Sequence, residues 1–225
     1  MTMMKSYTTF LFLLLLIQLP IWNIKIHAQE KAQTIRVILD PGHGGVDSGA
    51  VGTNGILEKE MVLQVAKKVV QLNRELHGNT LEIYLTRYND TLISLGDRTR
   101  LAKLLVPKLY VSLHGNHAPN PKAQGLEVFV WRPFQSAQNP YAKASESVAR
   151  SVVLKLRDKL GFKDRGVKQA NFQVLRDTRA LCPSILLEMG FLSNSEESGY
   201  LKTKKGRTGL ALAILESIHE YFDHD

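Results

Sequence analysis

The sequence predicts a single α/β domain with a twisted, mostly parallel (mixed) sheet and helices on both faces. Two observations lead to this prediction. Short runs of β-branched and other apolar residues alternate along the chain with longer segments in which apolar residues recur every three or four positions. The 225 residues are 44% hydrophobic and 22% charged, which is typical of a soluble globular protein of this size.

Six short segments are predicted to be strands. The first, 35–39, is a β-branched run that stops at the turn-forming sequence Asp40-Pro41-Gly42. The other predicted strands are 81–86, 109–113, 126–131, 172–175 and 184–187. Because no helical segment separates 109–113 from 126–131, some antiparallel pairing is expected in the sheet.

Four segments are predicted to be helices. In 58–76 the apolar residues Met61, Val65, Val69 and Leu72 recur at three- and four-residue steps, which places them on one helix face. The other predicted helices are 95–105, 141–160 and 207–222. Strands and helices therefore alternate, as in sheets that are covered on both faces.

Residues 1–28 are predicted to be a signal peptide, and residues 29–225 a single folded domain. Lys5 precedes an apolar run at 10–16 (FLFLLLL), and Ile26-His27-Ala28 offers a small-residue cleavage site before Gln29. An uncleaved membrane anchor is the alternative, although the apolar stretch is short for a span of about 20 residues. With the signal removed, no stable membrane insertion is expected.

The formal net charge of +8 favours anionic partners, or serves solubility alone. No run of Lys and Arg with interleaved aromatic residues stands out, so a nucleic-acid partner is not expected.

Four side chains with catalytic chemistry fall at the ends of predicted elements. His43, His114 and Glu188 follow the strands 35–39, 109–113 and 184–187, and Glu58 lies in the first turn of the helix 58–76. Ligand sites in α/β sheets form beyond the carboxyl ends of the strands. Two imidazoles and a carboxylate are a usual zinc set, and a second carboxylate then acts as proton acceptor. Taken singly, each of the four is as easily a structural or surface residue.

Two other site types are disfavoured by the sequence. The glycine-rich stretch 42–45 lacks the Gly-Lys-Ser/Thr of a phosphate-binding loop. No Gly-x-Ser-x-Gly motif of a serine hydrolase is present.

Seven sequence blocks, in order, resemble the zinc-dependent N-acetylmuramoyl-L-alanine amidases of bacteria, in the amidase-3 group. The resemblance covers about residues 34–220. The blocks are 40–52 (DPGHGGVDSGAVG), 58–59 (EK), 85–87 (LTR), 94–98 (SLGDR), 112–116 (SLHGN), 125–130 (GLEVFV) and 183–194 (PSILLEMGFLSN).

The resemblance implies one zinc ion held by His43, Glu58 and His114, with Glu188 as the catalytic carboxylate. Glu60 is the rival to Glu58, but only Glu58 precedes a lysine as in the family motif. The implied reaction is hydrolysis of the amide between the lactyl group of N-acetylmuramic acid and the L-alanine of the stem peptide. Residues 29–225 would then be the catalytic domain, and peptidoglycan its partner.

Several residues around these motifs have open roles. Asn116 is expected either to orient His114 or substrate, or only to form a turn. His117, which is extra relative to the family pattern, is a substrate contact or a solvated loop residue. Arg98 is expected to attach its helix to the sheet rather than to bind substrate. Glu127 either lines the cleft or points outward from its strand, and the outward position is favoured.

Asp40 and Asp47 either support His43 or only shape the turn.

Two other functions stay open: a non-catalytic peptidoglycan-binding relative, and a different zinc wall hydrolase such as a peptidase or deacetylase. An exported protein is expected, in the periplasm or cell envelope or secreted. The sequence identifies no protein activator.

Overall fold

A computed structural model describes residues 34–132 and 139–223. The predicted signal peptide, 1–28, lies outside the described residues. From Thr34 onward the chain forms one compact unit. None of the helices in the described ranges is long and apolar enough to cross a membrane.

Six strands form one sheet with the order β2-β1-β3-β6-β4-β5. The strands are β1 (Ile35–Pro41), β2 (Leu81–Leu85), β3 (Leu109–Asn116), β4 (Leu126–Trp131), β5 (Asp164–Ala170) and β6 (Ser184–Phe191). The first four strands of that order are parallel, and β4 pairs with β6 antiparallel while β5 runs parallel to β4. The sheet is therefore mixed, as predicted, and its single antiparallel junction separates a four-strand block from the β4–β5 pair.

Helices cover both faces of the sheet. They are α1 (Glu58–His77), α2 (Leu95–Leu105), α3 (Ala142–Leu160), α4 (Gln173–Thr178), α5 (Ser195–Lys202) and α6 (Lys204–Asp223). The larger apolar core lies between the sheet and α1, α3 and α6. The smaller core lies on the opposite face, under α2 and α4, and includes Tyr110, Trp131 and Leu186. The α/β class and all four predicted helices are confirmed, with α6 starting three residues early.

The predicted strand 172–175 is wrong, because these residues belong to the short helix α4. Val174 and Leu175 are both buried, and Thr178 Oγ1 donates to Val174 O within the helix. So short an apolar run does not distinguish a strand from a buried helical turn.

Strand β5 and helix α5 were not predicted. The sequence of β5, DRGVKQA, has no alternating apolar pattern, because it is an edge strand that pairs with β4 alone. Helix α5 is short and begins after Asn194, whose side chain accepts from the backbone N–H groups of Glu196 and Glu197.

Strands β3 and β6 continue beyond their predicted ends, to Asn116 and Phe191. His114 and Glu188 therefore lie within the strands and occupy paired positions on β3 and β6. Polar residues and glycines weaken a strand signal in sequence, but a strand with partners on both sides persists through them. At one end of the sheet, β1, β3 and β6 terminate and β4 and β5 begin. We call this end of the sheet the site edge.

Candidate metal centre

Three side chains capable of binding a metal meet at the site edge. His43 follows β1, Glu58 is the first residue of α1, and His114 lies near the end of β3. One ligand atom from each lies within 4.8 Å of the others, a group that could hold one metal ion. Glu58 is 3% exposed, whereas Glu60 is exposed, so burial favours Glu58 over its sequence rival.

Glu58 lies between the two imidazoles. Its Oε1 atom is 3.0 Å from His43 Nε2 and 2.9 Å from His114 Nδ1. Backbone N–H groups of Ala50 and Gly115 donate to Oε2 and Oε1, at 2.8 and 3.0 Å. The carboxylate is thus oriented by the backbone independently of the histidines. The three groups present two nitrogens and one oxygen toward one point.

The protonation equilibria of this group are strongly shifted. Burial opposes ionisation of Glu58, but the hydrogen bonds from His114 and His43 outweigh it and lower the pKa of the carboxyl. The hydrogen bond from Glu58 raises the pKa of His43 to about 9, against the opposing effect of burial. A metal ion would take the place of the proton on His43, since a metal-binding imidazole is neutral.

The other ring nitrogen of His43 is held by an aspartate. Asp47 Oδ2 lies 2.8 Å from His43 Nδ1, and Asp47 Oδ1 accepts from the backbone N–H of Gly49 at 3.0 Å. Carboxylates that bind the second nitrogen of a ligating histidine set its tautomer and ring orientation. Of the two roles open for Asp47, the contact with His43 is therefore present. Asp40 has a different environment.

Two arginines hold the chain segment that carries His43. This residue has a φ of 57°, an unusual backbone conformation for a residue other than glycine. Arg98 donates to Asp40 Oδ1 at 2.7 Å, to Pro41 O at 2.8 Å and to His43 O at 2.7 Å. Arg87 donates to Pro41 O at 2.9 Å and to Gly42 O at 2.7 Å. The expectation that Arg98 attaches its helix to the sheet is confirmed.

Asp40 is the buried anchor of this arrangement. It also accepts from Thr86 Oγ1 at 2.6 Å and from Ser112 Oγ at 2.8 Å. Burial disfavours its ionised form, but the neighbouring Arg98 charge prevails and lowers its pKa. Asp40 therefore supports His43 through Arg98, and joins β1, β2 and β3 just before the site edge.

A lysine and a glycine also fix the position of the loop that carries His43. Lys59 donates to Gly45 O and to Asp90 Oδ2, both at 2.7 Å, and Asp90 Oδ1 accepts from the backbone N–H of Gly45. A Cβ atom at Gly42 would overlap the ring of His114. The loop can approach β3 this closely only with glycine at position 42.

Glu188 lies beside the three side chains that could hold a metal ion. It pairs in register with His114 on β3, so the two side chains share one face of the sheet. Burial, the first of several influences, raises the pKa of Glu188 from 4.5 to about 7. Its Oε2 atom is buried and has no hydrogen-bond partner within the described residues. A carboxyl group in this state readily exchanges a proton near neutral pH.

Glu127 does not point outward from its strand, so the favoured of its two expected positions is wrong. It pairs with Glu188 across the antiparallel β4–β6 junction and is 5% exposed. Arg165 Nε and Lys168 Nζ both donate to Glu127 Oε1. Side chains alternate regularly between the two faces of the sheet along β4. Glu127 lies on the same face as Glu188.

Asn116 and His117 lie at the end of β3, and neither side chain is hydrogen-bonded to His114. Asn116 Nδ2 donates to Glu127 Oε2 at 3.1 Å, and its Oδ1 accepts from the backbone N–H of His117 at 2.8 Å. The side chain of Asn116 thus links β3 to β4, whereas His117 is exposed.

Arg165 and Lys168, which sequence reasoning missed, lie on the unpredicted strand β5.

Known proteins resemble this chain in sequence. The Amidase_3 family profile, described as N-acetylmuramoyl-L-alanine amidase, matches residues 37–220. The chain is 32% identical over 223 residues to N-acetylmuramoyl-L-alanine amidase AmiA of Escherichia coli (strain K12), covering 83% of this chain and 75% of the relative. It is 34% identical over 205 residues to N-acetylmuramoyl-L-alanine amidase LytC of Bacillus subtilis (strain 168), covering 90% of this chain but only 39% of the relative.

A solved structure agrees with these sequence matches. N-acetylmuramoyl-L-alanine amidase AmiC2 of Nostoc punctiforme is 34% identical and superposes with a TM-score of 0.73, covering 84% of this chain and 97% of that one. The blocks that carry the resemblance surround the site edge, and the family profile spans nearly all of the folded unit. This protein therefore belongs to the Amidase_3 family of N-acetylmuramoyl-L-alanine amidases.

Proposed function

We propose that this protein is a zinc-dependent hydrolase of peptidoglycan. It cleaves the amide between the lactyl group of N-acetylmuramic acid and the L-alanine of the stem peptide. The observation that carries the proposal is the convergence of His43, Glu58 and His114 on one point, with Glu188 in register beside His114. Family membership supplies the bond that is cut.

The donor set fits zinc. Two imidazole nitrogens and one carboxylate oxygen, with further coordination positions left open, are a usual ligand set of catalytic zinc. His43 would bind through Nε2 and His114 through Nδ1, because these nitrogens face Glu58 Oε1. When bound, zinc supplies a Lewis acid that polarises the amide carbonyl and activates water.

Glu188 is the proton-transfer group of this proposal. Its burial favours the neutral form, and its pKa of about 7 leaves a large ionised fraction at neutral pH. The ionised carboxylate accepts a proton from the attacking water, and the resulting carboxylic acid donates that proton to the leaving amine of L-alanine. The unpartnered Oε2 atom is available for both transfers.

Two neighbouring residues have supporting roles in the proposal. Asn116 positions Glu127 beside Glu188 through its hydrogen bond to Glu127 Oε2. His117, exposed at the end of β3, contacts the substrate.

The proposed site of action is outside the cytoplasm, in the periplasm or cell envelope or as a secreted protein. Residues 1–28 act as the signal peptide, and residues 29–225 as the zinc amidase domain. N-terminal sequencing of protein recovered from the cell envelope or the medium tests this assignment. It should find Gln29 as the first residue, and a chain that retains residues 1–28 would contradict cleavage.

The decisive experiment incubates protein from Gln29 onward with purified peptidoglycan and identifies the released fragments by mass spectrometry. Free stem peptides that begin with L-alanine are expected, and a chelator should abolish their release until zinc is restored. Glu58→Gln should lower both bound zinc, measured by elemental analysis, and peptide release. Glu60→Gln is the matched control, because Glu60 is exposed and two residues away on the same helix.

Other outcomes identify the other functions. Cleavage within the stem peptide indicates a peptidase, and release of acetate without peptide indicates a deacetylase. Sedimentation with peptidoglycan in the absence of any new chain end indicates a non-catalytic binder. Each of these results would overturn the proposed amidase reaction.

A further inference from the structure

Two cations next to the site take no part in the proposed hydrolysis. Arg165 and Lys168 lie on β5, and both donate to Oε1 of Glu127. The side chain of Glu127 is 7% exposed, whereas those of Arg165 and Lys168 are 34% and 39% exposed. The carboxylate therefore lies beneath the two cations, which cover it and face solvent.

Both cations are held in place by aromatic rings as well as by Glu127. The guanidinium of Arg165 lies 5.0 Å from the ring centroid of Phe191, and Lys168 Nζ lies 6.0 Å from that of Phe129. Such contacts fix the direction of a long, otherwise flexible side chain. The pair is thus ordered before any ligand binds, which lowers the entropic cost of binding.

The pair retains hydrogen-bonding capacity beyond what Glu127 uses. An arginine has five N–H donors and a lysine three. Arg165 uses Nε for Glu127 and reaches Gln124 O from Nη1 only at 3.5 Å, while Lys168 Nζ donates to Glu127 alone among the described residues. No hydrogen bond joins Arg165 Nη2 to the rest of the described chain. The remaining donors suit a second anionic acceptor.

The other carboxylate near Arg165 does not occupy these remaining donors. Glu197 also lies close enough to interact with Arg165, but its two oxygens accept backbone N–H bonds from Gly125 and Phe191, at 2.7 and 2.6 Å. Two cations thus share the one carboxylate, Glu127, to which their side chains bond directly.

The position of the pair relative to Glu188 follows from the strand register. Glu127 is in register with Glu188, and Phe129 is in register with both Leu186 on β6 and Lys168 on β5. Glu188, Glu127 and Lys168 therefore lie on one face of three neighbouring strands, near the site edge. With strands about 4.8 Å apart, β5 is roughly 10 Å from Glu188. A substrate lying across the strands would reach both groups.

We propose that Arg165 and Lys168 form a subsite that binds a free carboxylate of the stem peptide, on the peptide side of the bond that is cut. This inference rests on the proposed function. The N-acetylated glycan is uncharged, whereas stem peptides carry carboxylates that bacteria leave free or convert to amides. Two ordered cations favour the carboxylate over the neutral amide, because charged hydrogen bonds are about twice as strong as neutral ones.

The test compares two soluble muropeptides that differ only in the second residue of the stem, which carries either a free carboxylate or its amide. Initial rates of release of the L-alanine-terminated peptide are measured with zinc-loaded enzyme at matched low substrate concentration. The unmodified enzyme should cleave the free-carboxylate substrate roughly tenfold or more faster. Arg165→Gln and Lys168→Met should each reduce this preference severalfold, where the preference is the ratio of the two rates measured in the same variant.

A matched variant controls for net charge. Lys143→Met removes one exposed cation from the start of α3. Helix α3 follows β4 in the chain, and β4 ends on the side of the sheet away from the site edge. It should retain the full preference. Circular dichroism and zinc content of all variants establish that each is folded and loaded.

The outcomes separate the two proposals. Release of L-alanine-terminated peptide from both substrates at equal rates by the unmodified enzyme would overturn the subsite and leave the amidase function intact. A preference that persists in the double variant of Arg165 and Lys168 would also overturn the subsite. Release from neither substrate, with folded and zinc-loaded enzyme, would overturn the proposed function and the subsite with it.

Discussion

The two parts of the sheet contribute to the site in different ways. The parallel block supplies His43, His114 and Glu188 from the carboxyl ends of β1, β3 and β6, where a buried network around Asp40 and Arg98 holds the chain. The β4–β5 pair runs in the opposite direction and supplies side chains from the beginnings of its strands. Those side chains form an ion-pair cluster in which a buried carboxylate, Glu127, is covered by two partly exposed cations.

This difference indicates a division of labour. Buried ion pairs between rigid elements hold reactive groups in one geometry, whereas exposed cations can exchange one anion for another at little cost. We therefore assign bond cleavage to the parallel block and substrate selection to the β4–β5 pair.

Glu188→Gln should have the largest effect. It removes the proton acceptor, so the rate of peptide release should fall by about 10²–10⁴-fold. The same change should stabilise the metal-free protein at pH 8. The folded-state pKa of about 7 exceeds the ordinary value of 4.5, so ionisation of Glu188 opposes folding as the pH rises through this interval.

Urea denaturation of the metal-free protein measures the stability effect of Glu188→Gln. The gain in the free energy of unfolding should be up to about 3 kcal/mol at pH 8, because one pKa unit corresponds to about 1.4 kcal/mol. It should nearly disappear near pH 4, where the carboxyl is mostly protonated in both the folded and the unfolded state. A variant less stable than the parent at pH 8 would contradict the conclusion that burial disfavours the ionised form of Glu188.

Arg98→Met tests the rigidity of the parallel block. It leaves Asp40, 1% exposed, without its ion-pair partner, and should lower the free energy of unfolding by about 3–5 kcal/mol. Arg36→Met is the matched control, because the Arg36–Glu82 pair is 47% and 41% exposed and should cost at most about 1 kcal/mol. Equal losses in the two variants, measured by urea denaturation, would show that the network is not a special anchor.

The pH dependence of the rate should connect the two regions. The ionised form of Glu188 accepts the proton, so kcat/KM should rise about tenfold per pH unit toward a plateau. The midpoint should lie at or below about 7, since the charge of bound zinc lowers the pKa that burial raises. The neighbouring Glu127 charge also raises this pKa, so Glu127→Gln should move the midpoint to lower pH.

Rate profiles of the parent and of Glu127→Gln between pH 5 and 9 are the relevant measurement. The exposed change Glu146→Gln on α3 should leave the profile unchanged. An unshifted midpoint in Glu127→Gln would mean that the β4–β5 pair does not act on Glu188 electrostatically.

The smallest effect is expected for the stability of Glu127→Gln. Arg165 and Lys168 are partly exposed and can turn to solvent when their partner is lost, so the loss should be about 1 kcal/mol. Thermal unfolding beside Arg98→Met provides the comparison. A loss as large as that of Arg98→Met would place Glu127 in the rigid core and remove the proposed contrast between the regions.

The accuracy of the sequence predictions also differs between the two parts of the sheet. In the parallel block, buried strands are apolar runs, and the motif residues follow them directly, so His43, His114 and Glu188 were placed correctly at one edge. In the β4–β5 pair, β5 is polar and was missed. The general rule about carboxyl ends of parallel strands gives no reason to look at the start of an antiparallel neighbour.

Local patterns in the chain were sufficient for the α/β class, for the four long helices and for the placement of His43, Glu58, His114 and Glu188 near the ends of their elements. These depend on periodicity and on motif residues that are close in sequence to strand ends. The register across β3, β6 and β4, the burial of Glu127 and the cationic cover from β5 were decided only by tertiary structure. They depend on which strands become neighbours and in which direction, and that is settled by packing between segments far apart in the chain.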